Sequence, residues 1–436
     1  MSNIWGIRAY KKISQDRMKE ARRAVRSYPY RLGYDNLNIP FVSYSQRMDN
    51  KSHFDSGTTG SVFYKPYAPP EPPLVLMGLQ EARIAGRKNP ISLDDIITLD
   101  LEAAPILHEH KVYLALKYLL DSPDFSLSTY EHQGDALLAP PLPIHQLPHG
   151  REHITKQSVL GTVHIDESTY EGTDKLVTEW FRQLGLYSEG ERKHTGMNKV
   201  LPWIGDQLTV ERLRGLANYR GEDRNGYDRM DYMLVNFGWF HFEMLVGHSL
   251  HKQYFGTTAG RGLRYAFGVL GRTGLQTTQV KGSFYHHLRE GLAHVAEAHF
   301  RACWKKHTGV TNLADLRTKS PQELRTLAED LICKFASTDA LEDHDDLLET
   351  DQDDYFRNAT MFQRDVLPYF ALQNAIRSGD VGLLEKLLPH FFFRFCGTSN
   401  NKYAIEILEL LQGLHREWPE NVRYVIIQCS MLSELN

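Results

Sequence analysis

Only four cysteines occur in 436 residues, and Cys303, Cys333, Cys396 and Cys429 stand too far apart to form a zinc-ribbon or thioredoxin-type pair. They read as buried thiols of a reducing compartment. No uninterrupted apolar run is long enough to span a bilayer. Where a secretory signal would need its apolar core, the N-terminus carries Lys11, Lys12, Arg17, Lys19, Arg22, Arg23 and Arg26. Asp16 and Glu20 inside that stretch argue against a mitochondrial presequence. The expectation is an intracellular protein, nuclear or cytoplasmic, with no membrane partner, opening on a charged helix. Charge of one sign is not in excess either: a formal net charge of -4 excludes a uniformly basic surface, so any nucleic-acid contact must come from local patches.

An apolar fraction of 42% and a charged fraction of 24% are those of an ordinary globular protein, and the length suffices for two or three domains. Proline clusters punctuate the chain over 65–73 and at Pro140, Pro141, Pro143 and Pro148. Strand-like stretches are Arg31–Asn36, Gly57–Tyr64, Ser158–Asp166 and Val200–Ile204, with helical patterns over Leu93–Leu127 and Lys175–Leu184. From Met230 to Leu388 the periodicity is almost wholly helical, and the run from Met233 through Leu245 reads as one buried helix.

The expected class is therefore α+β and predominantly helical, a small mixed sheet interrupted by large all-helical insertions. A basic helix occupies 1–30, the first part of an α/β core 31–75, and a helical insertion with proline-rich borders 76–150. The second part of the core spans 151–225, a second helical insertion 226–390 with an acidic loop at 342–354, and the C-terminal part of the core 391–436.

Val200–Ile204 ends abruptly on Gly205-Asp206-Gln207-Leu208-Thr209, and the stretch leading to Asp35-Asn36 repeats the arrangement. Two acids at strand ends suggest one site in which carboxylates hold magnesium for phosphoryl transfer on nucleic acid. Glu406, within the first two turns of a helix that starts near Lys402, supplies a third carboxylate. Asn36 and Gln207 would orient ligands or substrate. The opposing reading makes Asp35 and Asp206 turn formers and Glu406 an exposed helix acid.

A second-choice metal site, suited to zinc, comprises His248, His251, His287, Glu290 and His294. Helical spacing puts His287, Glu290, His294 and Glu297 on one face, and His241, His248 and His251 can share a face of another helix. No His-Glu-x-x-His signature is present, so the alternative is a polar network in a helical core. The stretch Gly256–Gly262 superficially resembles a phosphate-cradling loop but lacks the Gly-Lys-Ser/Thr ending and a preceding strand, and is read as a turn between helices. The string Glu342–Asp354 fails the calcium-loop pattern and is expected to be a solvated, mobile loop.

The strings Tyr34–Asn38, Gly161–Gly172, Trp203–Gly215, His251–Gly262 and His294–His299 resemble the fungal family known as domain of unknown function 6589, over most of the chain. The chain is also similar to transposase-derived proteins with a ribonuclease-H-like core, in which a third acid follows a large helical insertion. That resemblance implies a ribonuclease-H-like sheet, Asp35, Asp206 and Glu406 as magnesium ligands, and DNA as the partner of a nuclease or strand-transfer reaction. Such proteins usually extend beyond both ends of this chain, so an inactive or truncated descendant is one expectation. A non-catalytic helical protein that binds protein or nucleic acid is a second reading, and a metal-binding domain built on the histidine helices is a third.

Overall fold

The computed structural model describes residues 3–41, 53–68, 74–260, 262–279, 284–398, 400–423 and 425–426. The chain begins with α1 (Asn3–Ser27), β1 (Tyr30–Phe41), β2 (His53–Tyr64), α2 (Leu76–Arg87), α3 (Leu93–Leu120) and β3 (Lys156–Val159). It continues through α4 (Tyr170–Leu184), α5 (Glu189–Asn198), β4 (Leu201–Gly205), α6 (Gln207–Tyr219), β5 (Met233–Phe237) and α7 (Trp239–Gln253). Seven further helices follow: α8 (Leu263–Val269), α9 (Tyr285–Thr308), α10 (Pro321–Phe335), α11 (Asp339–Asp345), α12 (Asp354–Ser378), α13 (Val381–Gly397) and α14 (Asn401–Gln412). Two compact units result, one of residues Met1–Ser92, Leu147–His241 and Phe395–Asn436, the other of Leu93–Gln146 and Phe242–Arg394.

The first unit is built on one mixed sheet with strand order β3-β2-β1-β4-β5. β1 to β3 pair antiparallel, whereas β4 runs parallel to β1 and β5 parallel to β4. Parallel neighbours need crossovers, supplied here by α4 and α5 before β4 and by α6 before β5. Trp180, Phe181, Trp203, Leu213, Leu216 and Tyr232 join Leu32 and Tyr34 in the core of this unit.

The basic run at the N-terminus is a helix, as its charge pattern predicts, but it is not merely solvated. Ala21, Ala24 and Val25 are buried, while Arg22 and Arg26 donate to the carbonyls of Gln183 (2.6 Å) and Gly185 (3.1 Å). Cations there complement the C-terminal end of α4, where carbonyls are left without helical partners. β5, the last strand of the sheet, has Arg83 of α2 donating to the carbonyls of Asp231 (3.0 Å) and Met233 (2.7 Å), which occupies backbone groups that an open edge would expose.

One helical expectation is overturned. Met233–Phe237 is a strand and α7 begins only at Trp239. A strand buried on both faces, followed at once by a buried helix, reads as a single apolar run that periodicity cannot divide. The break falls at Gly238, whose N–H donates to the Gly205 carbonyl at 3.1 Å. The Ser158–Asp166 strand is also shorter than expected: β3 ends at Val159, and only an isolated bridge between Val163 and Thr58 follows.

The second unit is built of helices, with Phe300, Trp304, Leu324, Leu331, Val366 and Leu372 among its fully buried side chains. The Trp304 indole donates to the Ala115 carbonyl of α3 at 2.9 Å. Gly256–Gly262 does join two helices, α7 and α8. The acidic string is largely exposed but only partly a loop: α11 runs through Asp345, Arg357 holds Asp345 with two hydrogen bonds, and Asp353 caps α12. Among the described residues no helix is long and apolar enough to cross a membrane. Cys303, Cys333 and Cys396 are free thiols, only the first of them buried; Cys429 and the prolines of 69–73 lie outside the described residues.

Candidate acidic site beside the parallel strands

β1 and β4 are parallel neighbours in which Leu32 stands opposite Trp203 and Gly33 opposite Ile204. The pairing stops there, two residues short of Asp35 on one strand and of Asp206 beyond the other, and the Asp206 charge acts on Asp35. Asp206 leaves the strand in extended conformation and caps α6, its carboxylate accepting from the Thr209 N–H at 2.8 Å. A side chain at Gly205 would come within 2.3 Å of Thr209, so glycine permits this tight passage from strand to helix. Asp35 does not end its strand as expected: β1 runs on to Phe41 and sets Asp35 opposite Thr59 of β2, because the antiparallel ladder with β2 outlasts the short parallel pairing with β4. It is exposed and accepts from the Asn36 N–H at 2.8 Å. Lost hydration raises its pKa and the Asp206 charge adds to the rise, against the Asn36 hydrogen bond and His241, which lower it.

Glu167 completes this group, and reasoning from sequence passed over it. Its side chain is 1% exposed, and neither carboxylate oxygen has a hydrogen-bond partner in bonding geometry. Burial first, then the charges of Asp206 and Asp35, push its pKa up to about 7, with the Thr209 hydroxyl opposing. The loop that presents it is tightly built. Thr169 caps α4 through the Gly172 N–H (3.0 Å), the Thr173 hydroxyl donates to the Glu167 carbonyl (3.1 Å), and a Cβ on Gly172 would lie 1.7 Å from the Asp166 carbonyl oxygen. The Tyr34 hydroxyl, buried without a partner, feels the Glu167 and Asp206 charges, although burial is the main cause of its raised pKa.

A carboxylate whose pKa rises on folding stabilises the fold fully below its ordinary value of 4.5 and loses that contribution as pH passes through about 7. In a chelator, the protein should thus lose on the order of 3 kcal/mol between pH 4.5 and pH 8 through this group. Glu167→Gln should remove that slope. Thermal melting across the pH range checks it, and an unaltered slope would show that Glu167 ionises as an ordinary carboxylate.

Glu406 is placed differently. It is 3% exposed and takes both oxygens to Arg214 of α6, at 3.2 and 2.8 Å. Tyr403, one turn earlier on α14, links the two neighbourhoods: burial raises its pKa, and the Asp206 and Glu406 charges add to it. Gln207 donates to Glu211 (2.9 Å), which also accepts from Lys402 (3.0 Å), and Asn36 is exposed beside Asp35. The sheet unit thus places Asp35, Asp206 and Glu167 within reach of one another's charge and engages Glu406 with an arginine.

The histidine set is not gathered into a cage. His248 bonds the Thr278 carbonyl (3.3 Å) and the buried His251 bonds that of Leu275 (2.9 Å). His287, Glu290 and His294 lie on the exposed face of α9, where the Arg272 guanidinium bonds Glu290 (3.0 Å) and His294 (3.4 Å). Among the described residues, no three of His, Cys, Asp and Glu form a ready-made metal-binding group.

Fold and site together define a predominantly helical α+β protein with a small mixed five-stranded sheet and three carboxylates, interacting through their charges, where the β1–β4 parallel pairing ends. The chain belongs to a family of unknown function (DUF6589), whose model matches residues 86–435. The strands β1 and β2, and with them Asp35, precede the matched stretch. No curated protein and no solved structure matches the chain.

Proposed function

We propose that Asp35, Asp206 and Glu167 hold a divalent cation, magnesium, for phosphodiester transfer on DNA, in a ribonuclease-H-like core descended from fungal transposase-derived enzymes. The observation that carries this reading is Glu167: a buried carboxylate whose oxygens meet no partner in bonding geometry, with the Thr209 hydroxyl near and two further carboxylates acting on it, is satisfied by a proton or a cation. The donor set fits the ion. All-oxygen ligands suit magnesium rather than zinc, and magnesium keeps several waters and takes only one or two carboxylates plus substrate phosphates, so a closed protein cage is not required.

A bound divalent ion would supply a lowered pKa for the attacking water or 3'-hydroxyl and stabilisation of the leaving oxygen. The protein's own groups do the rest. The Thr209 N–H fixes the Asp206 carboxylate, Asp35 faces solvent where substrate can reach it, and Glu167 holds a proton near neutral pH that a cation would displace. Supporting the ancestry, α14 with Glu406 follows the long helical segment Phe242–Arg394, the order that the transposase resemblance implies. Glu406 can join the ligands only by leaving Arg214.

Titration of magnesium and manganese into the protein at pH 8, with nicking of labelled duplex DNA as the second readout, tests the proposal. Saturable binding and metal-dependent nicking are expected, with little proton release, because Glu167 is already largely ionised at that pH. Neither binding nor nicking would return the protein to the non-catalytic reading, in which the acids are internal polarity and the partner is held without chemistry.

A further inference from the structure

Within the helical unit lies a cavity of about 530 Å³, between the Gly256–Gly262 turn, α9 and the start of α12. Two of the strings that drew attention in the sequence, His251–Gly262 and His294–His299, meet there, and neither is used by the acidic site. Its volume is that of a small-molecule site, and its walls are of the mixed kind such sites have. Aromatic rings dominate: Tyr254, Tyr265, Tyr355 and Phe362. Phe362 is braced edge-on by Tyr254 (centroids 5.4 Å) and His299 (5.5 Å). Tyr265 and Tyr355, 47% and 55% exposed, present ring surface at the cavity.

Three features narrow the chemistry. His299 makes no hydrogen bond or ion pair with any described residue, and burial keeps its imidazole neutral, so it offers one donor and one acceptor. Asn358 commits its amide N–H to the Asp354 carbonyl (2.7 Å) and keeps its side-chain oxygen for another partner. Among the described lining residues there is one carboxylate, Asp354, and no lysine or arginine. Gly256 and Gly262 take positive φ values of 65° and 80°, and a Cβ on Gly262 would sit 2.8 Å from both Gly256 Cα and the Tyr254 carbonyl oxygen, so the wall is built on a backbone only glycine permits.

We propose that this cavity binds a nucleobase, stacked on the tyrosines and read along its edge by His299 and Asn358. Every base offers a π-face and a mixed donor-acceptor edge, so it uses the rings and the imidazole together, whereas an aliphatic ligand would leave the imidazole unused. The base can arrive on a free nucleoside or as an unpaired base of a strand.

Adenosine, guanosine, cytidine and thymidine, and a short single-stranded oligonucleotide with and without one abasic position, are titrated into the full chain by calorimetry. Binding of a nucleoside is expected to weaken about tenfold in Tyr355→Ala, where an exposed ring is removed, and in His299→Gln. Asp206→Asn should bind as the wild type does, which keeps this result independent of the acidic site. If the oligonucleotide alone binds, and less well with the abasic position, the base comes from a strand. If none of the probes binds, if both cavity variants bind normally, or if phenol competes as well as a nucleoside, the proposal is overturned.

Discussion

Asparagine in place of Asp206 should lower metal-dependent nicking of DNA by about a thousandfold or more, because several kcal/mol of charge stabilisation by a bound ion are at stake and each 1.4 kcal/mol is a factor of ten. The same substitution should barely change the melting temperature. Asp206 also caps α6 through the Thr209 N–H, and asparagine caps a helix about as well as aspartate. Asp206→Ala separates the two roles: it loses the nicking and in addition about 1 kcal/mol of stability with the cap. Nicking rates at saturating manganese, with thermal melting of the same samples, check both parts. Wild-type nicking rates in Asp206→Asn would sink the magnesium site, and a large drop in its melting temperature would mean that the acid serves the fold instead.

Arg214→Met should destabilise the sheet unit by about 3–5 kcal/mol at neutral pH, the cost of stranding the buried Glu406 carboxylate. Burial already raises the Glu406 pKa, and the Arg214 hydrogen bonds and charge oppose that rise. A carboxyl with a raised folded pKa contributes fully below its ordinary value of 4.5 and loses that contribution as pH climbs through the folded value. Without Arg214 the folded value rises further, so the variant should approach wild-type stability towards pH 4.5 and fall away from it towards pH 8. Adding Glu406→Leu should restore most of the loss, since an apolar pair replaces a buried ion pair at little cost. Melting curves of the single and double variants from pH 4.5 to 8 decide it; a pH-independent deficit would place the energy in packing rather than charge. Nicking by the double variant then reports on Glu406: retained activity makes it part of the scaffold, and lost activity makes it a ligand that has to leave its arginine.

Much of the scaffold is written locally. Val200–Ile204 is a continuous apolar run that stops on Gly-Asp, and it is β4, with Asp206 capping the next helix. The leucine-rich pattern after Leu93 is α3, and the lone glycines and polar residues of Gly256–Gly262 are a turn between helices. Periodicity and capping act over a few residues, so a linear reading reaches them. Where two elements share one environment, it does not. Met233–Phe237 and the start of α7 are both buried, and only hydrogen bonding across the sheet tells strand from helix.

The chain's own order of residues settled that Asp206 ends a strand and that the protein is mostly helical around a small sheet, because hydrophobic pattern and turn chemistry are local properties; it did not show that β1 runs on past Asp35 to Phe41. Which acids meet was decided by the fold alone. The parallel pairing of β1 with β4 brings Asp35 within reach of the Asp206 charge, while a loop before α4, carrying no periodic signal, adds a buried Glu167 that feels both. Glu406 finds Arg214 across 192 residues of chain. Burial and the distance between charges control what a carboxylate does, and both come into existence only when distant segments pack.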